Sequence, residues 1–430
     1  MFRLKISILI LSVASVISVS ARTVSVDECR MLAREHYPAV AQYGIIENTR
    51  DLTLSAVSRA WLPQIALGAR ASWQNNVTSL PEQLQQMLSQ FGADYPGMKH
   101  LQYSTALELN QMIWDGGATA DRRAEARAQA DVATKSTDLA LYEVEGKVQE
   151  IYFSILLLNR QIAQLRLTEN LLDSTFRKIN SLVANGVAMP ADAYMAEAQL
   201  LTLRQTITSM QSSAKACRSI LGLLTGLDPN EIELTEPEEA IGRRDPSWQM
   251  PQQALFDARI RSLDVSQRMV KSSLMPKISV FASAAYGYPG ADIFKSMRTG
   301  HPDFGVMAGV SLQWEIGAFY NRSERLHRIN DQRHLIDIER QIADFNKSMA
   351  SESIVGEIHA LRSAIEHDAK IAELRTKVRQ AAESQLANGV IDTTSLLDKI
   401  TDEQTAILSR NVHIIRLLQQ YYLLNHTLNK

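Results

Sequence analysis

The chain has 430 residues, 45% hydrophobic and 21% charged, with 45 basic against 47 acidic side chains. That near balance excludes an electrostatic nucleic-acid binder, and two cysteines are too few for a disulfide-built scaffold. The apolar share is ample for a core. Past the N-terminus, however, no apolar run approaches the roughly 18 residues of a spanning helix, so any passage through a membrane is not by apolar helices.

Arg3 and Lys5 precede an apolar stretch over residues 6–19, and Val19-Ser20-Ala21 supplies the small residues of a cleavage site. This predicts a secretory signal at 1–21, with the mature chain outside the cytoplasm. Removing Arg3 and Lys5 leaves 43 basic against 47 acidic side chains, a net charge of −4. Cys29 and Cys217 both lie in helical sequence. Export permits a disulfide between them, and the alternative is two small buried apolar side chains.

Pro63 opens a segment in which Ile65, Leu67, Ala69, Ala71 and Trp73 alternate with Gln64, Ala66, Gly68, Arg70 and Ser72. After a loop over residues 74–102, Tyr103, Thr105, Leu107, Leu109 and Ile113 oppose Ser104, Glu108 and Asn110. Period-two alternation predicts two strands with one apolar and one polar face. Trp114-Asp115-Gly116-Gly117 ends the second strand, and residues 118–184 then run without proline. Val144, Val148, Ile151, Ile155, Leu158, Ile162 and Leu165, then Leu172, Phe176, Ile179 and Val183, repeat at steps of three and four. This predicts a helix about 100 Å long, paired along its length. Asn185-Gly186-Val187 breaks it as a tight turn, since glycine readily takes the left-handed conformation that ends a helix.

The same order then recurs. After a charged, proline-broken linker at 226–247, Pro276 precedes a strand in which Ile278, Val280, Ala282, Ala284, Tyr286 and Tyr288 oppose Lys277, Ser279, Ser283 and Gly287. A loop over residues 289–303 leads to a second strand, with Phe304, Val306, Ala308, Val310, Leu312 and Trp314 on its apolar face. Trp314-Glu315-Ile316-Gly317 echoes the first strand ending, and Asn388-Gly389-Val390 echoes the first turn. Ile338, Ile342, Phe345 and Met349 predict a further helix seam, as do Leu397, Ile400, Ile407, Ile414, Leu418 and Tyr421. Matched blocks in one order define a duplicated strand-strand-helix-helix unit, with repeats at about 22–225 and 248–430 of a single domain spanning 22–430. Strand length, terminal aromatics and export together favour strands that cross a bilayer. Four strands cannot close a barrel, so several chains must share one, and a trimer supplies about twelve strands.

The whole mature chain resembles the TolC-like outer-membrane efflux proteins. The resemblance rests on the duplicated order, Pro63 and Pro276 at the helix-to-strand junctions, the Trp-Asp-Gly-Gly ending and the two Ala-Asn-Gly-Val turns. It implies a mainly α protein with membrane β: a homotrimer with a twelve-stranded barrel in outer-membrane lipid and a long periplasmic α-helical barrel. It implies a passive conduit for efflux or type I secretion, without cofactor or metal. The tips at Asn185, Gly186, Val187, Asn388, Gly389 and Val390 would dock a periplasmic adaptor joined to an inner-membrane transporter. Asp192, Asp392 and Asp398 are aperture candidates under the same resemblance, while Asp192 and Asp392 also suit helix caps. Val390-Ile391 stands where some relatives place a basic residue, which argues against a salt-bridge latch there. A soluble periplasmic coiled-coil scaffold without a pore is the alternative.

No nucleotide-binding glycine loop, Gly-x-Ser-x-Gly elbow or His-Glu-x-x-His helix occurs. His327 and His334, and His359 and His367, are spaced too widely for a natural ligand pair on a helix. The chain reads as a non-enzyme.

Overall fold

The computed structural model describes residues 22–237 and 250–428. The predicted signal at 1–21 and the linker residues from 238 onward lie outside the described residues. In chain order the elements are β1 (Arg22–Val24), α1 (Val26–His36), α2 (Ala41–Arg59), β2 (Gln64–Trp73), α3 (Glu82–Gln90), β3 (Leu101–Trp114), α4 (Ala118–Ala184), α5 (Pro190–Thr225), β4 (Ile232–Leu234), α6 (Pro251–Ser272), β5 (Lys277–Tyr288), α7 (Ile293–Thr299), β6 (Asp303–Gln313), α8 (Arg322–Ala387) and α9 (Thr393–Leu428). The duplication shows in the lengths. α4 and α5 have 67 and 36 residues, and α8 and α9 have 66 and 36. The short helices α3 and α7 stand inside the two hairpin loops, which alternation alone leaves without structure.

Contacts divide the chain into two compact units, each built from both repeats. One holds the described residues up to Val40, Asp138–Met250 and those from Ala343 on; the other holds Ala41–Thr137 and Pro251–Ile342.

The first unit is helical. Val24, Val26, Cys29 and Ala33 pack with Val148, Tyr152 and Ile155 of α4, Leu221 of α5, and Ile415 and Leu418 of α9. β1 pairs in parallel with β4, Arg22 opposite Ile232 and Val24 opposite Leu234, which ties the segment before α1 to the segment after α5. The Tyr152 hydroxyl donates to the Thr235 carbonyl at 2.5 Å and holds that pairing against α4. Both cysteines are free. Burial pushes the Cys29 thiol up to about 12, so it behaves as a small apolar side chain. A second core joins Leu165, Leu172 and Ile179 of α4, Leu200, Leu203 and Ile207 of α5, and Leu396, Leu397 and Ile400 of α9. Each such side chain contributes roughly 1.5–3 kcal/mol on burial. The α8 seam read from spacing needs correction. Ile338, Ile342, Phe345 and Met349 are exposed, while Ile354, Ile358 and Leu361 are the α8 residues packed on α9 Leu417. Periodicity marks an apolar stripe but not whether its partner belongs to the same chain.

The second unit carries one antiparallel sheet in the order β2-β3-β5-β6. Its register fixes which residues share a row. Ile65–Leu109–Ala282–Ala308, Leu67–Leu107–Ala284–Val306 and Ala69–Thr105–Tyr286–Phe304 form one face. Gln64–Asn110–Phe281–Gly309, Ala66–Glu108–Ser283–Met307 and Arg70–Ser104–Gly287–Asp303 form the other. The apolar face is bare: Leu67 is 74% exposed and Val310 70%. Gln111 shares the apolar row of Val280 and Val310, and its amide donates to the Trp61 carbonyl at 2.5 Å. A bulge between Met112 and Trp114 makes Ile113 the extra residue and sets Trp114, rather than Ile113, opposite Ile278 on that face.

Pro63 and Pro276 each stand immediately before a strand, one after the turn that ends α2 and the other after the turn that ends α6. At the other end of the hairpin, Asp115 accepts from the Gly117 N–H at 2.9 Å and the Thr119 N–H at 2.6 Å, which caps α4. Burial alone would raise the Asp115 carboxyl, but these hydrogen bonds and that of the Thr119 hydroxyl hold it below its usual value. The echo at Glu315 differs: it makes no such cap, and the chain passes through a 3-10 turn at Ile316–Phe319. Gly116 has φ +70°, and a Cβ there would lie 2.3 Å from the Cβ of Met275. Gly116→Val is therefore expected to cost more than the roughly 1–2 kcal/mol of a left-handed non-glycine residue. Chemical denaturation of the purified protein, followed by circular dichroism, measures that loss.

Candidate functional site

The helix turns gather most of the predicted site residues. At the first, the Gly186 N–H donates to the Val183 carbonyl at 3.0 Å and the Val187 N–H to the Leu182 carbonyl at 2.9 Å. At the second, Gly389 donates to Leu386 at 3.0 Å and Val390 to Gln385 at 2.9 Å. Both are Schellman turns, and they demand the left-handed φ of +72° at Gly186 and +69° at Gly389. Asn185 and Asn388 each donate their side-chain amide back to a serine carbonyl, Ser181 and Ser384, at 2.8 Å. The valines after the glycines have no cover. Val187 is 73% exposed, and Met189 and Val390 are exposed beside it.

The carboxylates beyond the turns divide one capping arrangement between them. In α5, Asp192 accepts from the Met189 N–H at 3.0 Å. In α9, Asp392 accepts from the Ser395 N–H at 2.9 Å. A capping box uses both directions in one helix, and here each hairpin keeps one half. Met189 and Ser395 occupy the places of the missing partners. Asp398 lies on the second turn of α9, exposed, with no ion pair within the described residues. Just inside the first turn, a cleft of about 380 Å³ is lined by Ile179, Leu182, Leu386 and Leu396, with Lys178 and Glu383 in its walls.

Sequence reading passed over two residues on the polar sheet face. Phe281 and Met307 stand in rows otherwise made of small or polar side chains, beside the Glu108 that alternation identified. Their apolar character hid them, since alternation assigns such residues to the opposite face.

Duplicated hairpins on long paired helices, with a bare apolar sheet face, are the architecture of outer-membrane channels. Three solved structures share it. The CmeC outer membrane channel of Campylobacter jejuni is 12% identical, covering 94% of this chain and 85% of its own, with a TM-score of 0.66. The outer membrane protein VceC of Vibrio cholerae is 13% identical, covering 94% and 95%, with a TM-score of 0.64. The MtrE outer membrane channel of Neisseria gonorrhoeae is 12% identical, covering 94% and 88%, with a TM-score of 0.61. No curated protein sequence matches the chain. Residues 32–226 match the outer membrane efflux protein family. That match and the shared fold make the chain similar to the outer membrane efflux proteins, the TolC-like channels its motifs resemble.

The Ser395 hydroxyl and N–H hold the Asp392 carboxyl below its ordinary value. A depressed folded value gives stability that is present above about pH 4 and lost as pH falls through the lower folded value. Asp392→Asn is expected to lower the melting temperature at neutral pH. Its difference from wild type should shrink as pH falls through the lowered folded value, as thermal scans across pH would record.

Proposed function

We propose that three copies of this protein form the outer-membrane duct of a tripartite export assembly. The duct is a passive conduit through the periplasm and outer membrane, joined to a periplasmic adaptor and an inner-membrane transporter. The bare apolar sheet face carries this reading. Strands of ten to fourteen residues with such a face match the apolar band of a tilted bilayer-spanning sheet. β2 and β6 end the four-stranded sheet, and their open edges would be costly in hydrocarbon. Pairing β6 of one copy with β2 of the next removes both edges, and three copies give twelve strands. A soluble scaffold would leave the same face in water.

At the tips, Val187, Met189 and Val390 offer the adaptor an apolar contact of a kind monomeric surfaces rarely keep without use. Asp398 carries the aperture role best, because no helix cap employs it. Asp192 and Asp392 remain on the same mouth while capping their helices.

Lysine at Leu67 or Val306 is expected to cost about 2–4 kcal/mol near the bilayer centre. Fractionation should show these variants lost from the outer membrane; wild-type chain recovered in the soluble periplasm would overturn the duct. Val187→Asp with Val390→Asp is expected to leave trimers in the membrane while export falls to the level of an adaptor deletion. Wild-type export in that variant would remove the docking role from the tips.

A further inference from the structure

The polar face of the sheet is mostly small or neutral. One row, Gly68–Ala106–Ala285–Gly305, carries nothing larger than a methyl group. The adjoining row holds Glu108, exposed and without an ion pair among the described residues. The other basic or acidic residues of that face stand away from it. Arg70 lies opposite Ser104, four residues along β3 from Glu108, and Lys277 lies six residues along β5 from Ser283, the direct neighbour of Glu108. At about 3.4 Å per residue these separations are about 14 and 20 Å. Asp303 is paired with Lys295 at 2.9 Å.

Two large apolar groups stand on the same face, on the strands beyond the carboxylate. Met307 is in the same row, one strand beyond Ser283. Phe281 is in the next row, and its ring lies over Gly309, where a Cβ would come within 2.8 Å of the ring's Cζ. The missing side chain at Gly309 gives the ring its seat. An aromatic face, a thioether and a lone carboxylate together suit a cation with an apolar body.

We propose that Glu108, Phe281 and Met307 form a cation-selective station inside the barrel, which recognises organic cations as they pass and is separate from the aperture at the tips. It rests on the twelve-stranded barrel proposed above. Twelve strands about 4.8 Å apart and tilted by about 40° close on a radius of about 12 Å. Three Glu108 side chains reaching about 5 Å inward stand about 7 Å from the axis, within the Debye length of about 8 Å at physiological salt. A cation on the axis is therefore attracted by all three carboxylates at once.

Channels in planar bilayers test this, all carrying Asp192→Asn and Asp398→Asn so that the mouth does not mask the barrel. Glu108→Gln is expected to lower the potassium-over-chloride permeability ratio about twofold at about 0.1 M salt. The difference should vanish near 1 M, where screening falls to about 3 Å. Half-block by tetrabutylammonium should need about fivefold more blocker in Glu108→Gln and about threefold more in Phe281→Ala. Adding Ser283→Glu to Glu108→Gln returns a carboxylate to the same row and should restore both properties. Conducting channels in which Glu108→Gln changes neither property overturn the station and leave the duct standing. A parent that inserts but never conducts overturns the duct, and the station with it.

Discussion

The constraint on which everything else depends is a sheet that its own chain cannot complete. Four antiparallel strands present an apolar face to the outside and end in two strands, β2 and β6, each with one unpaired edge. Neither deficiency is repaired among the described residues. An apolar face needs an apolar solvent, and an unpaired backbone edge in that solvent needs another strand. In the proposed duct, lipid and further copies of the chain would meet both needs together, so that membrane residence and oligomerisation become one requirement.

The helices show the same incompleteness to a lesser degree. The long helices share two separate cores, and α1, β1 and β4 close the first of them. Yet α8 keeps a second apolar stripe, Leu335, Ile338, Ile342, Phe345 and Met349, exposed along one face. The stripe follows the three-four spacing of a packing seam and has no partner among the described residues. Adjacent copies in a helical barrel would supply one.

The two turns show how a duplicated sequence is kept where geometry demands it and released where it does not. The glycines of the Schellman turns recur because both turns need a left-handed residue. The caps beyond them diverged into complementary halves, with acid at the third helical position in α5 and at the cap in α9. At the strand endings Asp115 reaches back to cap α4, whereas Glu315, one methylene longer, makes no cap. The two copies share the left-handed glycine and the Asn-to-Ser carbonyl contact of the turns, and differ in the caps around them.

Much of the fold was legible in the residues because it is local. Period two gave the strands, the three-four step gave the long helices, and Asn-Gly gave their turns. An amphipathic run declares its own periodicity without reference to anything distant. What required the folded chain was pairing across sequence distance. The parallel match of β1 with β4, the bulge that turns Trp114 onto the apolar face, and the exposure of the α8 stripe all depend on which segment lies alongside. The register also brings Glu108, Phe281 and Met307 together from three strands, an adjacency that no spacing along the chain encodes. Sequence determined which faces are apolar; only the tertiary structure decided which of them remain uncovered, because burial belongs to pairs of segments and not to either one alone.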